Sequence, residues 1–299
     1  MRRASPVDAM LFGTVLLWAL NLTVTKFLFQ HGWRPLAYGT IRYFFAIALF
    51  WAFTWRRERT FWIARGDLWL VVLAGLFIFV NQVAFVFALK LASASTVALL
   101  LGATPIFMGV IAEVLRLERL QGTFWIGAAV TFVGVALIAL ASGGELSGSL
   151  LGSLLGVATA LTWACYSTAI GPLMRRYSPY RISSLVLAIG WVPLAAVSAV
   201  QVSEQRFDFG ALSWIGFAYA VVGPLFLTNL LWFTAIDRVG APRASLFANL
   251  QPFFAVFFAL ILLSETLHPM EIAGGVLIFA GIALERIWRR PHETVAPAE

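Results

Sequence analysis

The sequence is poor in what a soluble fold displays to water. Of its 299 residues only 12% are charged, about half the share usual for a soluble domain. It has one cysteine, Cys165, so neither an intrachain disulfide framework nor a cysteine zinc cluster can form. Its three histidines, His31, His268 and His292, lie outside the long apolar runs, which leaves no histidine set for an intramembrane metal centre. The apolar runs also lack a Ser/His or Asp pair, so an intramembrane enzyme is disfavoured. No metal and no cofactor are expected.

What remains is apolar. Hydrophobic residues make up 61% of the chain and the mean hydropathy is +0.88. Most segments are apolar all round rather than striped, as lipid-facing helices are. The basic N-terminus leads into an apolar run too long and too aromatic for a signal peptide, with no small-x-small cleavage site after it. It reads as a first span. At roughly 20 apolar residues per span, ten spans fit, at 8–29, 36–55, 68–89, 94–115, 123–142, 150–173, 182–202, 211–236, 242–263 and 270–288. Alternate connections differ sharply in charge. One set, with both termini, holds sixteen of the 21 basic residues; the other holds Arg34, Lys90 and Arg206. That bias puts both termini in the cytoplasm. It also accounts for the net charge of +7 without a nucleic-acid partner.

The chain repeats itself. The 50 residues from Ala88 and the 50 from Ala235 align without a gap at an offset of 147, with about 14 identities. Pro105 falls on Pro252, Glu118 on Glu265, Gly127 on Gly274 and Gly134 on Gly281. A repeat this long sets the architecture: residues 1–142 form a first five-helix repeat, 143–149 a glycine-serine linker, 150–288 a second repeat and 289–299 a tail. Five spans are an odd number, so the second repeat enters from the opposite side. The expected fold is an all-α polytopic membrane protein, ten helices in two inverted repeats around a central cavity. Inverted repeats with a site between them at the midplane are a transporter signature.

Polar residues in mid-span tend to face protein or a cavity. Trp18 and Asn21 share one face of span 1 with Thr25, and Trp163 and Tyr166 answer them in span 6. Asn81 and Gln82 in span 3 fall on Thr228 and Asn229 in span 8, where Trp232 follows. Thr104 precedes the proline of span 4, and span 9 carries Asn249 and Gln251. Such amides can instead bond helices together; as a set they point to a cavity whose neutral hydrogen bonding and aromatic surface suit a zwitterion with an apolar side chain. Two ionisable residues lie within spans. Arg42 needs a partner or a wet cavity, and Glu113 reads as a gate or interface group. Lys26 is expected to snorkel to the outer surface. Pro105 and Pro252 sit near mid-span, free the carbonyls of Leu101 and Ala248, and are candidate hinges.

Taken in order, Trp18-Ala-Leu-Asn21, Arg42, Ala92-Ser-Ala-Ser-Thr96, Pro105, Glu118 and Gly127, with the second copy Pro252, Glu265 and Gly274, resemble the drug/metabolite transporter superfamily in its ten-span branch. The chain is most similar there to bacterial inner-membrane exporters of amino acids, aromatic ones included. The resemblance implies a central cavity walled by spans 1, 3, 4, 6, 8 and 9, and export of a small-molecule substrate. Small multidrug members of the superfamily carry a glutamate in their first span. Here Asn21 stands in span 1 and no acid follows Asp8, which argues against cation efflux. A nucleoside or drug-like cargo remains the alternative; a sugar phosphate would want more cavity cations than Arg42 and Lys26. The expected surroundings are the lipid bilayer, with the protein a monomer or a weak homo-oligomer.

Overall fold

The structure is a computed structural model, and it describes residues 6–117, 122–141, 148–239, 247–248 and 250–288. These residues are helical with short connections. In chain order the helices are α1 (Pro6–Gln30), α2 (Pro35–Glu58), α3 (Leu68–Leu91), α4 (Ala94–Leu101), α5 (Thr104–Val114), α6 (Gly122–Ala141), α7 (Gly148–Met174), α8 (Pro179–Ser203), α9 (Ala211–Val221), α10 (Thr228–Val239), α11 (Gln251–Leu262) and α12 (Pro269–Trp288). Among the described residues eight helical stretches are long and apolar enough to cross a membrane. Gln251–Leu262 and the apolar part of α12, Pro269–Leu284, are shorter.

Three expected spans are interrupted, each at a proline. Span 4 breaks into α4 and α5 at Gly102 and Ala103, whose amides bond to Leu99 and Leu100, three residues back. Pro105 then opens α5. The Leu101 carbonyl, which Pro105 cannot reach for want of an N–H, is taken by the Thr104 hydroxyl at 2.6 Å. Span 9 repeats the device: the Leu250 amide donates to Phe247 at 2.9 Å and Pro252 opens α11. In span 8 a π-helical turn, Val222–Leu227, joins α9 to α10 around Pro224. Such turns are rare and recur at functional sites.

The connections sort into two faces by their bonds. At one, Asp67 accepts from Arg176 and from the Tyr177 hydroxyl, both at 2.7 Å, and Arg181 pairs with Glu58. These bonds tie the 58–67 connection to the 174–181 connection. Because both are arginine-rich, this is called the basic face. At the far face Arg34 pairs with Glu204, and the Leu36 amide donates to Gln201 at 2.9 Å. Trp33, 1% exposed, stacks there between Phe209 and Phe217, with centroids 4.6 and 4.7 Å away.

Helix pairing repeats under exchange of the halves. α3 packs along α7 as α1 packs along α10, and α1 along α11 as α5 along α7. α2 packs on α8, and α6 on α12. This last pair meets backbone to backbone. A Cβ on Gly134 would stand 2.5 Å from the Gly274 oxygen, and one on Gly281 would stand 2.4 Å from the Gly127 oxygen. Small residues of this kind let helices in lipid approach closely enough for dispersion to hold them.

Candidate functional site

The site assembles around a hydroxyl pair. Thr25 of α1 and Tyr38 of α2 bond at 2.9 Å. The two helices run in opposite directions, so one turn from that bond toward the basic face, about 6 Å, brings Asn21 and Arg42 to a common depth. Arg42 is 3% exposed. Its Nε donates to the Ala220 carbonyl of α9 at 3.1 Å, and its guanidinium lies 5.5 Å from the Tyr38 ring centroid. Gln82 of α3 is equally buried and lies against Gly39, where a Cβ would stand 3.0 Å from its Nε2. The missing side chain at position 39 admits that amide beside α2.

Asn21 Oδ1, Arg42 Nη1 and Gln82 Nε2 are three of seven buried side-chain atoms without a hydrogen-bond partner among the described residues, the others being on Thr23, Trp33, Thr54 and Thr131. Each such atom costs the fold its desolvation, about 1–3 kcal/mol, so native structures hold few of them. Here three stand on neighbouring helices near one depth. Together they offer one acceptor and two donors, one of these cationic. That set can take a carboxylate on Arg42 and Gln82, and an ammonium on Asn21.

The aromatic candidates form two pairs. The Trp18 and Trp232 ring centroids are 5.2 Å apart, and Trp18 Nε1 donates to the Pro224 carbonyl at 3.3 Å. Trp163 and Tyr166 are 5.3 Å apart on α7; Tyr166 is buried while Trp163 is 39% exposed. Other candidates carry bonds between or along helices. Asn81 donates to the Thr159 carbonyl at 2.8 Å and to the Thr162 hydroxyl at 3.1 Å, joining α3 to α7. Thr228 and Asn229 donate to the Pro224 and Leu225 carbonyls, at 2.7 and 2.6 Å, supplying partners to carbonyls of the π-helical turn. Asn229 also accepts from Ser183 at 3.3 Å. Gln251 is half-buried beside Pro252, Glu113 is half-buried near the end of α5, and Asn249 lies outside the described residues.

Sequence reasoning missed Tyr38, which orders Arg42, and Tyr219, whose hydroxyl donates to the Leu17 carbonyl at 2.7 Å. The spacing of Tyr38 and Arg42, four residues on one helix, was the available signal.

A second cluster lies at the far face. Glu265, after α11, accepts from the Ala94 and Ser95 amides at 2.8 and 2.9 Å and from the Ser95 hydroxyl at 2.8 Å. A carboxylate at a helix N-terminus meets free amides and the positive end of the helix dipole. Glu271 accepts from the Thr96 hydroxyl. Lys26, expected to snorkel outward, instead donates to the Leu89 and Ala92 carbonyls at 2.9 and 2.6 Å. It therefore ties the end of α1 to the end of α3.

Comparison with known proteins bears on the family and the fold. The EamA-like transporter family matches the chain twice, over residues 5–140 and 150–285. A protein of Salmonella typhimurium named "Probable amino-acid metabolite efflux pump" is 28% identical over 292 residues, covering 94% of each chain. Its namesake in Escherichia coli is 26% identical over 97% of this chain and 98% of its own. A transporter of Archaeoglobus fulgidus is 26% identical over 90% of this chain and 94% of its own. A solved crystal structure shares the fold with a TM-score of 0.63 at 18% identity, covering 94% of this chain and 96% of its own. The two family matches, the similar transporters and the membrane-length helices identify the chain as a transporter rather than an enzyme, built from two repeats, and it belongs to the EamA-like transporter family.

Proposed function

We propose that the protein is a secondary transporter that exports small neutral metabolites, aromatic or large neutral amino acids above all, by alternating access between two inverted five-helix repeats. The observation that carries the substrate class is the unpartnered set Asn21, Arg42 and Gln82, which matches the two ends of a zwitterion. Trp18, Trp232, Trp163 and Tyr166 supply ring surface for the side chain. The names of the similar efflux pumps point the same way. The test is ligand binding to the purified protein in detergent. Phenylalanine and leucine are expected to raise its melting temperature; phenylalaninamide and phenyllactate, each lacking one charged end, are expected to do so far less. Equal stabilisation by all four compounds would contradict recognition of a zwitterion.

Ten spans in inverted repeats are supported by the pairing of α6 with α12. Gly127 and Gly134 align with Gly274 and Gly281, yet Gly134 meets Gly274 and Gly281 meets Gly127. A two-fold axis in the membrane plane produces that exchange. It makes Pro105 and Pro252 hinges of opposite gates, with Thr104 and Gln251 beside them. Opening the far face requires Glu265 to release α4 and Lys26 to release α3.

The protein is placed in the bacterial inner membrane with the basic face and both termini in the cytoplasm. In a Cys165→Ala background, Trp62→Cys should resist an impermeant thiol reagent added to intact cells, and Asp208→Cys should react. The reverse pattern would invert the orientation.

A further inference from the structure

A cleft of about 310 Å³ opens at the basic face between α2, α8 and α10, lined by Phe53, Arg57, Pro179, Tyr180, Asn229, Leu230 and Thr234. We infer that this cleft is an entry site, separate from the Asn21–Arg42–Gln82 set, which first captures the carboxylate end of the substrate. This inference rests on the amino-acid reading above.

Its polarity is graded along the membrane normal. Arg57 lies in the last turn of α2 and Tyr180 in the first turn of α8; with Thr234 they form the mouth. Phe53 and Leu230 lie one turn deeper, on α2 and α10. Asn229 is also deep, but its amide is engaged by Leu225 and its oxygen by Ser183. Apart from that amide, the deep wall is apolar. The Tyr180 hydroxyl is engaged by Glu58, so the mouth offers a cation and the Thr234 hydroxyl; over an apolar wall these suit an anionic group attached to an apolar body. The volume sits at the lower end of small-molecule sites, which begin at about 300 Å³, as an amino-acid-sized occupant requires.

The charge at the mouth is available to a solute. The neighbouring acid, Glu58, is held by Arg181 and by the Tyr180 hydroxyl, whereas the Arg57 guanidinium lies 5.5 Å from the Phe53 ring centroid. The cleft also points at the central set. Arg42, Phe50, Phe53 and Arg57 occupy one side of α2. Phe226, from the π-helical turn, meets Phe50 and Phe53 at 5.1 and 5.7 Å between centroids. Three rings therefore separate two arginines that stand fifteen residues apart, about 22 Å along the helix. Below Phe226 the π-helical turn hands over to α10, and the cleft lies between α10 and the end of α2.

The experiment reads occupancy of the cleft itself. Thr234→Cys, in the Cys165→Ala background, is placed in proteoliposomes and its alkylation rate is measured against phenylalanine concentration. Phenylalanine should slow alkylation and phenylalaninamide should not. Arg57→Gln should raise the half-protecting concentration about tenfold, whereas Arg56→Gln, one residue away with the same loss of charge, should leave it unchanged. Arg42→Gln should also leave protection intact, because the two sites are separate. Equal effects of Arg56→Gln and Arg57→Gln would reduce the cleft to diffuse surface charge and overturn the inference. Loss of protection in Arg42→Gln would mean the label reports the central set, and would overturn it too. So would a cysteine reactive in phosphatidylcholine vesicles but already blocked in phosphatidylglycerol vesicles, since a lipid headgroup would then be the occupant. Counterflow by the unmodified transporter, measured alongside, separates failure of the cleft from failure of the amino-acid reading.

Discussion

Replacing Arg42 with glutamine should lower phenylalanine flux at least tenfold. Arg42 is buried, with one guanidinium nitrogen on Ala220 and another unpartnered. A hydrogen bond to a charged group contributes about 1.5–3 kcal/mol, and each 1.4 kcal/mol is about tenfold in affinity. Glutamine keeps a donor but removes the charge, so the loss should appear mainly as a raised KM. The protein should stay folded, because deleting a buried charge removes a desolvation cost as well as a bond. An unchanged melting temperature in detergent checks this. The readout that a structural role would not move is the analogue comparison. Any residual flux of phenylalaninamide, which has no carboxylate, should be indifferent to the substitution. Equal loss for the acid and the amide would make Arg42 a helix anchor.

Glu265→Ala should loosen the far face. The substitution removes three bonds to the start of α4, where losing a cap costs about 1–2 kcal/mol. It also removes a carboxylate whose charge is felt at Lys26. A shift of about 2 kcal/mol changes a two-state ratio roughly thirtyfold. A cysteine at Ala98, buried one turn beneath Ala94, should then react with an impermeant reagent from the far side at least ten times faster. Glu265→Gln, which keeps one acceptor oxygen, should fall between the two. No change in reactivity would mean that Glu265 caps α4 without gating the route.

The helical membrane class and the two repeats were legible because apolar runs and a 50-residue repeat are one-dimensional signals. Proline positions likewise foretold the breaks at Gly102 and before Gln251. The interruption of span 8 was harder to foresee. Pro224 was visible, but whether the chain answers a proline with a kink or a π-helical turn depends on neighbours such as Trp18 and Thr228. The candidate polar residues looked alike as letters. Asn81 and Gln82 are adjacent, yet one is bonded to α7 and the other has an unpartnered nitrogen against Gly39. That difference comes from helix rotation, which hydropathy does not encode. Lys26 went astray for a related reason: snorkelling assumes that water is the nearest partner, but two free carbonyls at the end of α3 were nearer.

The measurement that bears most directly on the account is counterflow in liposomes. Purified protein is reconstituted into vesicles loaded with unlabelled phenylalanine, and labelled phenylalanine, leucine, serine, a nucleoside and a sugar phosphate are offered outside. The account predicts transient accumulation of labelled phenylalanine and leucine, weak exchange of serine, and none of the nucleoside or the sugar phosphate. Accumulation of the sugar phosphate or the nucleoside without the amino acids, after loading with that same compound, would contradict it.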